Sequence, residues 1–375
     1  MEKLKLSDVA TIIMGQSPNS DTYNENGDGM PFFQGKTDFG KLNPNARIYC
    51  NNPKIIAKSN DILISVRAPV GDVNISNTIC CIGRGISAIR VTEKVHYKYI
   101  YYYLKTQKNK MNSLSTGSTF KAINKSVLEN LELNIYTLED QLKIVNILDK
   151  SQELIDKRKE QIEQLDELVK SRFIEMFGDT FLNTKNFEMK KIKDIATLVK
   201  GVTYKPEQVN ENGMIVLRSS NIQNSKFDLK DIVRIYKEIN EKFLVKENDI
   251  LMCNRNGSER LVGKVAKIPM ISEQMTFGTF MTIIRSPYFN YLFSFFQTEG
   301  FRRQIKMQTS VAINQISIPL LESVKVPLPP MELQNEFAEF TNQVDKLKFE
   351  MEKSLKELED NFNSLMQKAF KGELF

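Results

Sequence analysis

Histidine and cysteine are scarce in this sequence, which has one histidine, His96, and four cysteines among 375 residues. The cysteines are Cys50, Cys80, Cys81 and Cys253; they form no CxxC pair and are too few for a disulfide scaffold. Zinc sites built on histidine are therefore almost excluded, and a Ser-His-Asp triad has a single candidate histidine. The cysteine usage predicts a reducing, cytoplasmic compartment.

Long apolar runs are also missing. No stretch of about 18 uncharged apolar residues exists, and the starting sequence MEKLKLSDVA has no apolar core behind a basic beginning. We therefore expect neither a membrane span nor a secretory signal. With 41% hydrophobic and 26% charged residues, the chain has the composition of a globular protein, and its length predicts two or three domains.

Motifs for nucleotide binding and catalysis fail at defined positions. The segment Gly35-Lys36-Thr37 would need a glycine at position 30 to be a P-loop, and that residue is Met30. Gly83-Arg84-Gly85 is not GxGxxG, and Asn52-Pro53-Lys54 lacks the second proline and the aromatic residue of the adenine methyltransferase loop. The sequence predicts no catalytic apparatus in this chain.

Positive charge is concentrated in two of four segments. Residues 1–137 carry a net charge of +6 and residues 181–328 a net charge of +8, whereas residues 138–180 and 329–375 carry −4 each. Surplus glutamate on solvated helix faces explains the acidic segments but leaves the basic ones unexplained. Because a polyanion is attracted to the basic pair and repelled by the acidic pair, the division favours nucleic-acid binding by the first and third segments.

The sequence contains an internal repeat, with an offset that drifts from 186 to 193 residues. Four matches keep their order along the chain: KLSDVATIIMG at 5–15 with KIKDIATLVKG at 191–201, NDIL at 60–63 with NDIL at 248–251, Ala122-Ile123-Asn124 with Ala312-Ile313-Asn314, and Gln141 with Gln334. The residues between these matches differ almost completely. A common frame with different contents predicts two modules that do the same task on two different targets.

The acidic segments predict two helices of about 40 residues, each about 60 Å long. Apolar residues recur in them with the 3.5-residue period of a coiled coil. The seam positions that we assign to the helix pairing and partner interface are Ile155, Ile162, Leu165, Val169, Val344, Leu347, Met351 and Leu358. Because the helices are copies of each other, the predicted arrangement is an antiparallel coiled coil within the chain.

The basic segments have the pattern of mixed α/β domains with short strands and frequent turns. We predict strands near residues 61–67, 80–82, 86–91, 215–218 and 280–285, and a short aromatic helix at 97–104. The predicted fold class is therefore α/β or α+β: two globular domains separated by two long helices, with a pseudo-twofold internal repeat.

Both basic segments present arginine, lysine, asparagine and glutamine beside turns, and these side chains hydrogen-bond to base edges in DNA. The candidates are Gln34, Lys36, Thr37, Arg67, Arg84, Ser118, Thr119 and Lys121 in the first, and Arg218, Ser220, Asn221, Asn254, Arg255 and Asn256 in the second. Glycines beside Arg84 and Arg255 would allow the backbone close to a phosphate. For each candidate alone, an ordinary surface side chain or ion-pair partner is the alternative interpretation.

The order module, helix, module, helix resembles the specificity (S, or HsdS) subunits of type I restriction–modification systems. The phrases that carry this resemblance are ISVRAPVGDV, IGRGISAIR, VLRSSNI and NDILMCNRNG in the modules, and LVKSRFIEMFGD and SLMQKAFKGELF at the helix ends. The resemblance spans essentially the whole chain. It implies target recognition domains at 1–137 and 181–328, and conserved spacer helices at 138–180 and 329–375.

The resemblance also implies a function: reading a bipartite, asymmetric site in double-stranded DNA without catalysis by this chain. Two adenine-N6 methyltransferase (M) subunits and two restriction (R) subunits would be its partners, and S-adenosylmethionine, ATP and magnesium would bind to those partners. One alternative is a coiled-coil scaffold, against which the charge division counts. The other is a divergent single-chain restriction or methylation enzyme, which would need a further catalytic domain of about 150 residues.

Overall fold

The computed structural model describes residues 2–115, 121–307 and 315–374. The chain forms two compact units. Unit 1 comprises residues 1–160 together with 351–375, and unit 2 comprises residues 161–350. Each long helix therefore contributes one part to each unit.

Unit 1 is built from short strands and helices that share a hydrophobic core with parts of the long helices. In chain order its elements are β1 (Glu2–Lys5), α1 (Leu6–Val9), β2 (Ala10–Met14), β3 (Tyr23–Asn24), β4 (Met30–Phe33), β5 (Tyr49–Cys50), β6 (Ile56–Ala57), β7 (Ile62–Ser65), β8 (Val73–Ile75), β9 (Cys80–Ile82), β10 (Ile86–Val91), α2 (Tyr97–Thr106), α3 (Lys108–Ser113), α4 (Lys125–Glu129), β11 (Glu132–Ile135) and the first part of α5 (Leu138–Phe177).

Two sheets form the centre of unit 1. The strand β7 begins with three consecutive apolar residues because both of its faces are covered. The first sheet has the order β2-β10-β7-β8 and the second the order β3-β5-β4-β9-β6. Ile62 and Ile64 pack with the helices, whereas Leu63 packs with Phe33 of the second sheet. Because successive side chains of a strand point to opposite faces, a strand covered on both faces needs a continuous apolar run.

Unit 2 contains the remaining elements. They are β12 (Glu188–Lys191), α6 (Ile192–Ile195), β13 (Thr197–Lys200), β14 (Val209–Leu217), β15 (Ile222–Gln223), β16 (Lys226–Phe227), β17 (Arg234–Ile235), β18 (Ile250–Cys253), β19 (Val265–Lys267), β20 (Met275–Phe277), β21 (Met281–Arg285), α7 (Phe289–Phe295), α8 (Glu299–Met307), α9 (Ile318–Ser323), β22 (Lys325–Leu328) and the first part of α10 (Met331–Lys371).

The two units repeat the same topology, which confirms the predicted mixed α/β fold with two repeated domains. The sheet order β2-β10-β7-β8 of unit 1 returns as β13-β21-β18-β19 in unit 2. The parallel pair β4 and β9 returns as the parallel pair β14 and β20. The predicted aromatic helix at 97–104 is α2, and the predicted strand at 215–218 is the end of the longer β14.

An ion pair between a buried aspartate and a half-buried arginine has the same place in both units. Arg90 donates to both carboxylate oxygens of Asp61 over 3.0 and 2.7 Å. Arg285 donates to Asp249 in the same way over 2.7 and 2.6 Å. Each aspartate also accepts the backbone N–H three residues before it. The repeated Asn-Asp-Ile-Leu sequence therefore preserves an ion pair that links two neighbouring strands.

One predicted match of the repeat is wrong by three residues. Residues 312–314 lie outside the described residues, and the structure aligns residues 122–124 with 315–317 instead. Ala122 forms an isolated bridge with Arg67, and Gln315 forms the equivalent bridge with Arg255. Asn124 and Ser317 then cap α4 and α9 with their side chains. A tripeptide recurs easily by chance, whereas the bridge and the cap are fixed by backbone geometry.

Both long helices end as their glycines predict. Gly178 and Gly372 have positive φ values of 71° and 89°, and their N–H groups bond to carbonyls four residues earlier. Glycine adopts this left-handed conformation without a steric penalty, so it ends helices efficiently. The described helices, at 138–177 and 331–371, are slightly shorter than the predicted spacers at 138–180 and 329–375.

Within each unit, parts of the two long helices contact each other. In unit 1, Lys159 forms an ion pair with Glu359 over 2.7 Å. In unit 2, Arg172 contacts Glu336 over 2.8 Å and Asp166 contacts Lys348, so these parts run antiparallel.

The seam assignment needs one correction, at Leu347. Ile155, Leu165 and Val344 are buried, and four further positions are half-buried: Ile162, Val169, Met351 and Leu358. Leu347, however, is 47% exposed, whereas the neighbouring Lys348 is 8% exposed. The lysine stem covers apolar surface while its ammonium group reaches Asp166. Within the helix pairing, Lys348 therefore takes the place that apolarity alone assigned to Leu347, and the assignment of Leu347 to a partner interface stays a prediction.

Candidate nucleic-acid interface

Four loops of unit 1 that carry candidate residues are joined by backbone hydrogen bonds. These bonds run from Gly83 N to Phe33 O (2.8 Å), from Val66 N to Gly85 O (2.9 Å) and from Ala68 N to Lys121 O (3.0 Å). Segments 34–37, 67–69, 83–85 and 121–122 therefore lie side by side, where β4, β7 and β9 end. The structure brings together candidates that are up to 87 residues apart in sequence.

The candidate side chains along this edge of unit 1 are exposed, but they differ in whether an ion pair holds them. The exposed ones are Gln34, Lys36, Thr37, Arg67, Arg84 and Lys121. Ser118 and Thr119 lie outside the described residues. Lys36 is held by Asp72 over 3.0 Å, and Asp72 also contacts Lys108 over 2.6 Å. Within residues 2–115, 121–307 and 315–374, Arg67 and Arg84 form no ion pair.

Gly85 is required by the chain itself. A Cβ atom at this position would lie 2.1 Å from the backbone oxygen of Gln34, which no side chain tolerates. Gly257, near Arg255 in unit 2, has open space around it. The glycine beside Arg84 therefore allows two loops of the candidate surface to approach each other, a role different from the phosphate approach that the sequence suggested.

Unit 2 repeats this frame with different side chains. Its bonds run from Gly278 N to Leu217 O (2.9 Å), from Asn254 N to Phe280 O (2.9 Å) and from Ile316 N to Asn254 O (2.7 Å). Arg218 consequently follows β14 as Gln34 follows β4, and Arg255 occupies the place of Arg67. Thr279 and Phe280 stand where unit 1 has Arg84 and Gly85.

Two arginines of unit 2 reach the surface of this frame. Arg255 is exposed, and its guanidinium group lies over the ring of Phe280, 5.3 Å from the centroid. Arg218 is half-buried and contacts Asp231 over 2.9 Å, while its Nε is buried without a partner in the described part of the chain. Arg218 therefore has donor capacity that its own unit does not use.

The polar candidates of unit 2 mainly hold the loops. Asn221 is 1% exposed; it accepts the backbone N–H of Arg218 over 2.8 Å and donates to two carbonyls of the following loop. Asn254 is 3% exposed and donates to Thr282 over 3.0 Å. These contacts leave neither amide on the surface, so both position the loops that carry the arginines.

Ser220 and Asn256 lie at the junction of two loops. Both are half-buried. The Asn256 amide approaches the Ser219 hydroxyl at 3.4 Å, and the Ser220 hydroxyl has no partner among the described residues. The loop after β14 and the loop after β18 are thus in contact.

Sequence reasoning missed a tether at equivalent positions of the two units. Asp72 follows Gly71, and Lys264 follows Gly263, and both glycines have positive φ values of 86° and 80°. Asp72 holds the loop after β4 through Lys36. Lys264 holds the loop after β14 by donating to two backbone carbonyls, one of them 2.8 Å away. The match of Val-Gly-Asp-Val with Val-Gly-Lys-Val was the available signal.

Phe280 is a further residue that sequence reasoning missed. It is 52% exposed in a turn between two strands, and its ring lies under Arg255. An exposed aromatic side chain beside an arginine fits contact with a thymine methyl group or a base face. Its position in the turn Gly-Thr-Phe was visible in the sequence, but nothing there distinguished it from a core residue.

On the hypothesis from the sequence that each module reads its own DNA target, replacing the tether Lys264 with methionine is expected to weaken recognition by unit 2 alone, by about tenfold. The change removes both hydrogen bonds from a charged donor, each worth about 1.5–3 kcal/mol, and frees the loop that carries Arg218. The measurement is binding to duplexes in which one half of the recognised sequence is altered at a time. Lys267→Met, a similar change in the adjacent strand, is the control. Equal loss at both halves would contradict the tether.

Comparison with known proteins identifies the family. The family model described as "Type I restriction modification DNA specificity domain" matches residues 1–166 and 184–360, one copy for each half of the chain. The chain belongs to this family. The resemblance read from the module phrases is thereby confirmed.

Named members of the specificity family align with this chain over different lengths. The putative MjaX specificity subunit of Methanocaldococcus jannaschii is 48% identical over 157 residues, which cover 41% of this chain and 37% of that protein. The MjaVIII specificity subunit of the same organism is 24% identical over 86% of this chain and 81% of its own length. The alignment to the more similar relative therefore spans well under half of that protein.

A solved structure supports the fold of the specificity family over almost the whole chain. The S subunit of a type I restriction–modification system from M. genitalium aligns over 98% of this chain and 96% of its own length, with 18% identity and a TM-score of 0.53. Within the described residues, no helix has the length and apolarity to cross a bilayer. No cluster of histidine, cysteine and acidic side chains there suits a metal ion.

Proposed function

We propose that this chain is the DNA-recognition subunit of a type I restriction–modification complex and that each unit reads one half of a bipartite, asymmetric site in double-stranded DNA. The observation that carries the proposal is the repeated edge in units 1 and 2. Both units gather arginines at the ends of equivalent strands on one backbone frame, with different side chains at most other positions. Equal frames with unequal contents fit two readers of two different sequences.

The side chains divide into readers and supports in this proposal. Gln34, Arg84 and Arg218 take positions where the units differ, and their amide or guanidinium groups suit adenine and guanine edges. Thr37 and Lys121 belong to the same reading surface of unit 1, and Ser220 and Asn256 to that of unit 2. Ser118 and Thr119, outside the described residues, stay candidates from the sequence. Asn221 and Asn254 are buried and hold the loops that carry Arg218 and Arg255. Lys36 would reach DNA after exchanging its contact with Asp72.

The long helices have the proposed task of spacer and partner surface. Exposed apolar side chains on them suit helix contacts with other proteins: Leu142 is 50% exposed, Leu154 54%, Ile174 62%, Leu347 47% and Phe349 65%. We propose that the helices pair as an antiparallel coiled coil and hold two methyltransferase and two restriction subunits in the cytoplasm. S-adenosylmethionine, ATP and magnesium would bind to those subunits, and this chain would be non-catalytic.

A map of N6-methyladenine in the host genome, with and without this gene, tests the proposal. We expect one motif, made of two short half-sites around a fixed gap, to lose its methylation when the gene is deleted. Complementation with the unchanged gene should restore it, and complementation with Arg218→Ala should relax one half-site only. The Lys157→Ala variant, on an exposed helix face, is the control and should restore the original motif.

Two results would contradict the proposal. The first is an unchanged map together with no methyltransferase that co-purifies with the chain. The second is relaxation of both half-sites by Arg218→Ala, because the two-reader arrangement places that side chain in one unit only.

A further inference from the structure

Arg67 and Arg255 occupy the same backbone position in the two units. Each forms the isolated bridge of its frame, Arg67 with Ala122 and Arg255 with Gln315. The residue before each arginine donates its N–H to the turn between two strands over 2.9 Å, to Gly85 in unit 1 and to Phe280 in unit 2. The arginine is therefore the recurring cationic side chain on a frame whose other surface residues have changed.

The charge of both arginines is available to a ligand. Both side chains are exposed, and in the described part of the chain neither has a carboxylate partner. The guanidinium group of Arg255 lies 5.3 Å from the centroid of the Phe280 ring, a contact that orients the group without neutralising it. Several other cations near these surfaces are paired, with contacts of 3.0 Å for Lys36, 2.9 Å for Arg218 and 2.5 Å for Arg47. Arg84 is also exposed and has no ion pair among the described residues, but Thr279 takes its place in unit 2.

The surrounding positions show what these two arginines can have in common. Gln34 corresponds to Arg218, and Arg84 corresponds to Thr279, so these positions can distinguish two base sequences. A side chain that is identical in both units suits a ligand that is identical in both half-sites. The DNA backbone offers such a ligand at every step, because the phosphate group is the same whatever the base. The planar fork of arginine matches two phosphate oxygens.

We propose that Arg67 and Arg255 each bind one phosphate of the DNA backbone and fix the register of their unit on its half-site, while neighbouring side chains read the bases. This inference rests on the proposed function. It assigns a phosphodiester ligand to two residues that sequence reasoning placed only in a general DNA-binding set. It also separates them from Arg84 and Arg218, which have no identical counterpart.

The test compares affinity for the site found by the methylation map with affinity for a duplex in which both half-sites are scrambled. The full chain is used in complex with its methyltransferase subunits, over a range of salt concentrations. We expect Arg67→Ala and Arg255→Ala each to weaken binding to both duplexes by the same factor, about three- to tenfold. Each should reduce the slope of log K against log salt by about 0.9, as expected for one lost phosphate contact.

Matched variants separate charge from base readout. Arg67→Lys and Arg255→Lys keep the charge and should keep most of the slope, whereas Lys157→Ala removes a charge from an exposed helix face and should leave slope and affinity unchanged. Replacing single phosphates by neutral methylphosphonates should identify one phosphate in each half-site whose neutralisation weakens the unchanged protein but not the corresponding alanine variant.

The outcomes distinguish this inference from the proposed function. Loss of affinity for the recognised site alone, with relaxed sequence preference and an unchanged slope, would show base readout by these arginines and overturn the inference. A protein that does not prefer its site over the scrambled duplex would overturn the proposed function itself.

Discussion

Asp249→Ala is expected to lower the free energy of unfolding of unit 2 by about 3 kcal/mol, because it leaves a partly buried guanidinium group without its carboxylate. Asp249 is 2% exposed and accepts two hydrogen bonds from Arg285 and one from the backbone of Lys246. The hydrogen-bonded carboxylate of Asp249 raises the pKa of Arg285. Without this carboxylate the guanidinium group still stays charged at neutral pH, because arginine is effectively always protonated. Chemical unfolding of the full chain measures the change.

The equivalent change in unit 1, Asp61→Ala, is the matched comparison. Asp61 is 3% exposed and makes the same bidentate contact with Arg90. We expect a similar loss, confined to unit 1. Glu153→Ala breaks an exposed pair with Lys157 and should change stability by less than about 0.5 kcal/mol. If both aspartate variants lower the free energy of unfolding by less than about 1 kcal/mol, the repeated ion pair contributes little to the stability of the fold.

On the proposed function, Gly85→Ala is expected to reduce recognition of one half-site by at least tenfold. The added methyl group would lie 2.1 Å from the backbone oxygen of Gln34, and backbone cannot give way as a flexible side chain does. The loop that carries Gln34 and the turn that carries Arg84 must then separate, at a cost of about 1–3 kcal/mol typical of overpacking. Binding to duplexes with one half-site altered at a time measures the effect.

Gly35→Ala is the control for this prediction, because it adds the same methyl group where no atom lies within 4 Å. Gly35 is in the loop that carries Gln34 and has an extended backbone. We therefore expect nearly unchanged recognition and stability. If Gly85→Ala leaves both half-sites recognised, the joined edges of β4 and β9 do not form part of the reading surface. If Gly35→Ala is equally harmful, the loop itself and not its packing is sensitive.

Local signals were enough to predict many elements. The apolar run at 62–64 and the mainly apolar segment at 86–91 indicate strands, since both faces of their sheet are covered. Gly178 and Gly372 indicate the helix ends. The repeat was also readable, because Asp61 and Asp249 must keep the same neighbours to hold the same arginine. The three-residue error at 312–314 arose where a short match replaced information that only backbone pairing contains.

Heptad phase was only partly predictable. Val344, Met351 and Leu358 were assigned to one position of the heptad, and all three side chains are buried or half-buried. At the second heptad position the buried side chain is Lys348, whereas the assigned Leu347 is exposed. A lysine can be buried when an aspartate from the facing helix receives its ammonium group, and sequence alone does not pair these two residues. The exposed Leu347 is consequently available to another protein.

The sequence by itself determined the duplicated α/β architecture, the division of charge and the family, because periodicity, repetition and composition are properties of the chain in order. Only the tertiary structure decided which candidates share a surface and which are supports. Asn221 and Arg218 are three residues apart. Asn221 is nevertheless buried and holds its loop by hydrogen bonds, whereas Arg218 reaches the candidate surface of unit 2. The equivalence of Arg67 and Arg255 was evident only from backbone hydrogen bonds between distant strands, which show that the two residues occupy the same position in their units.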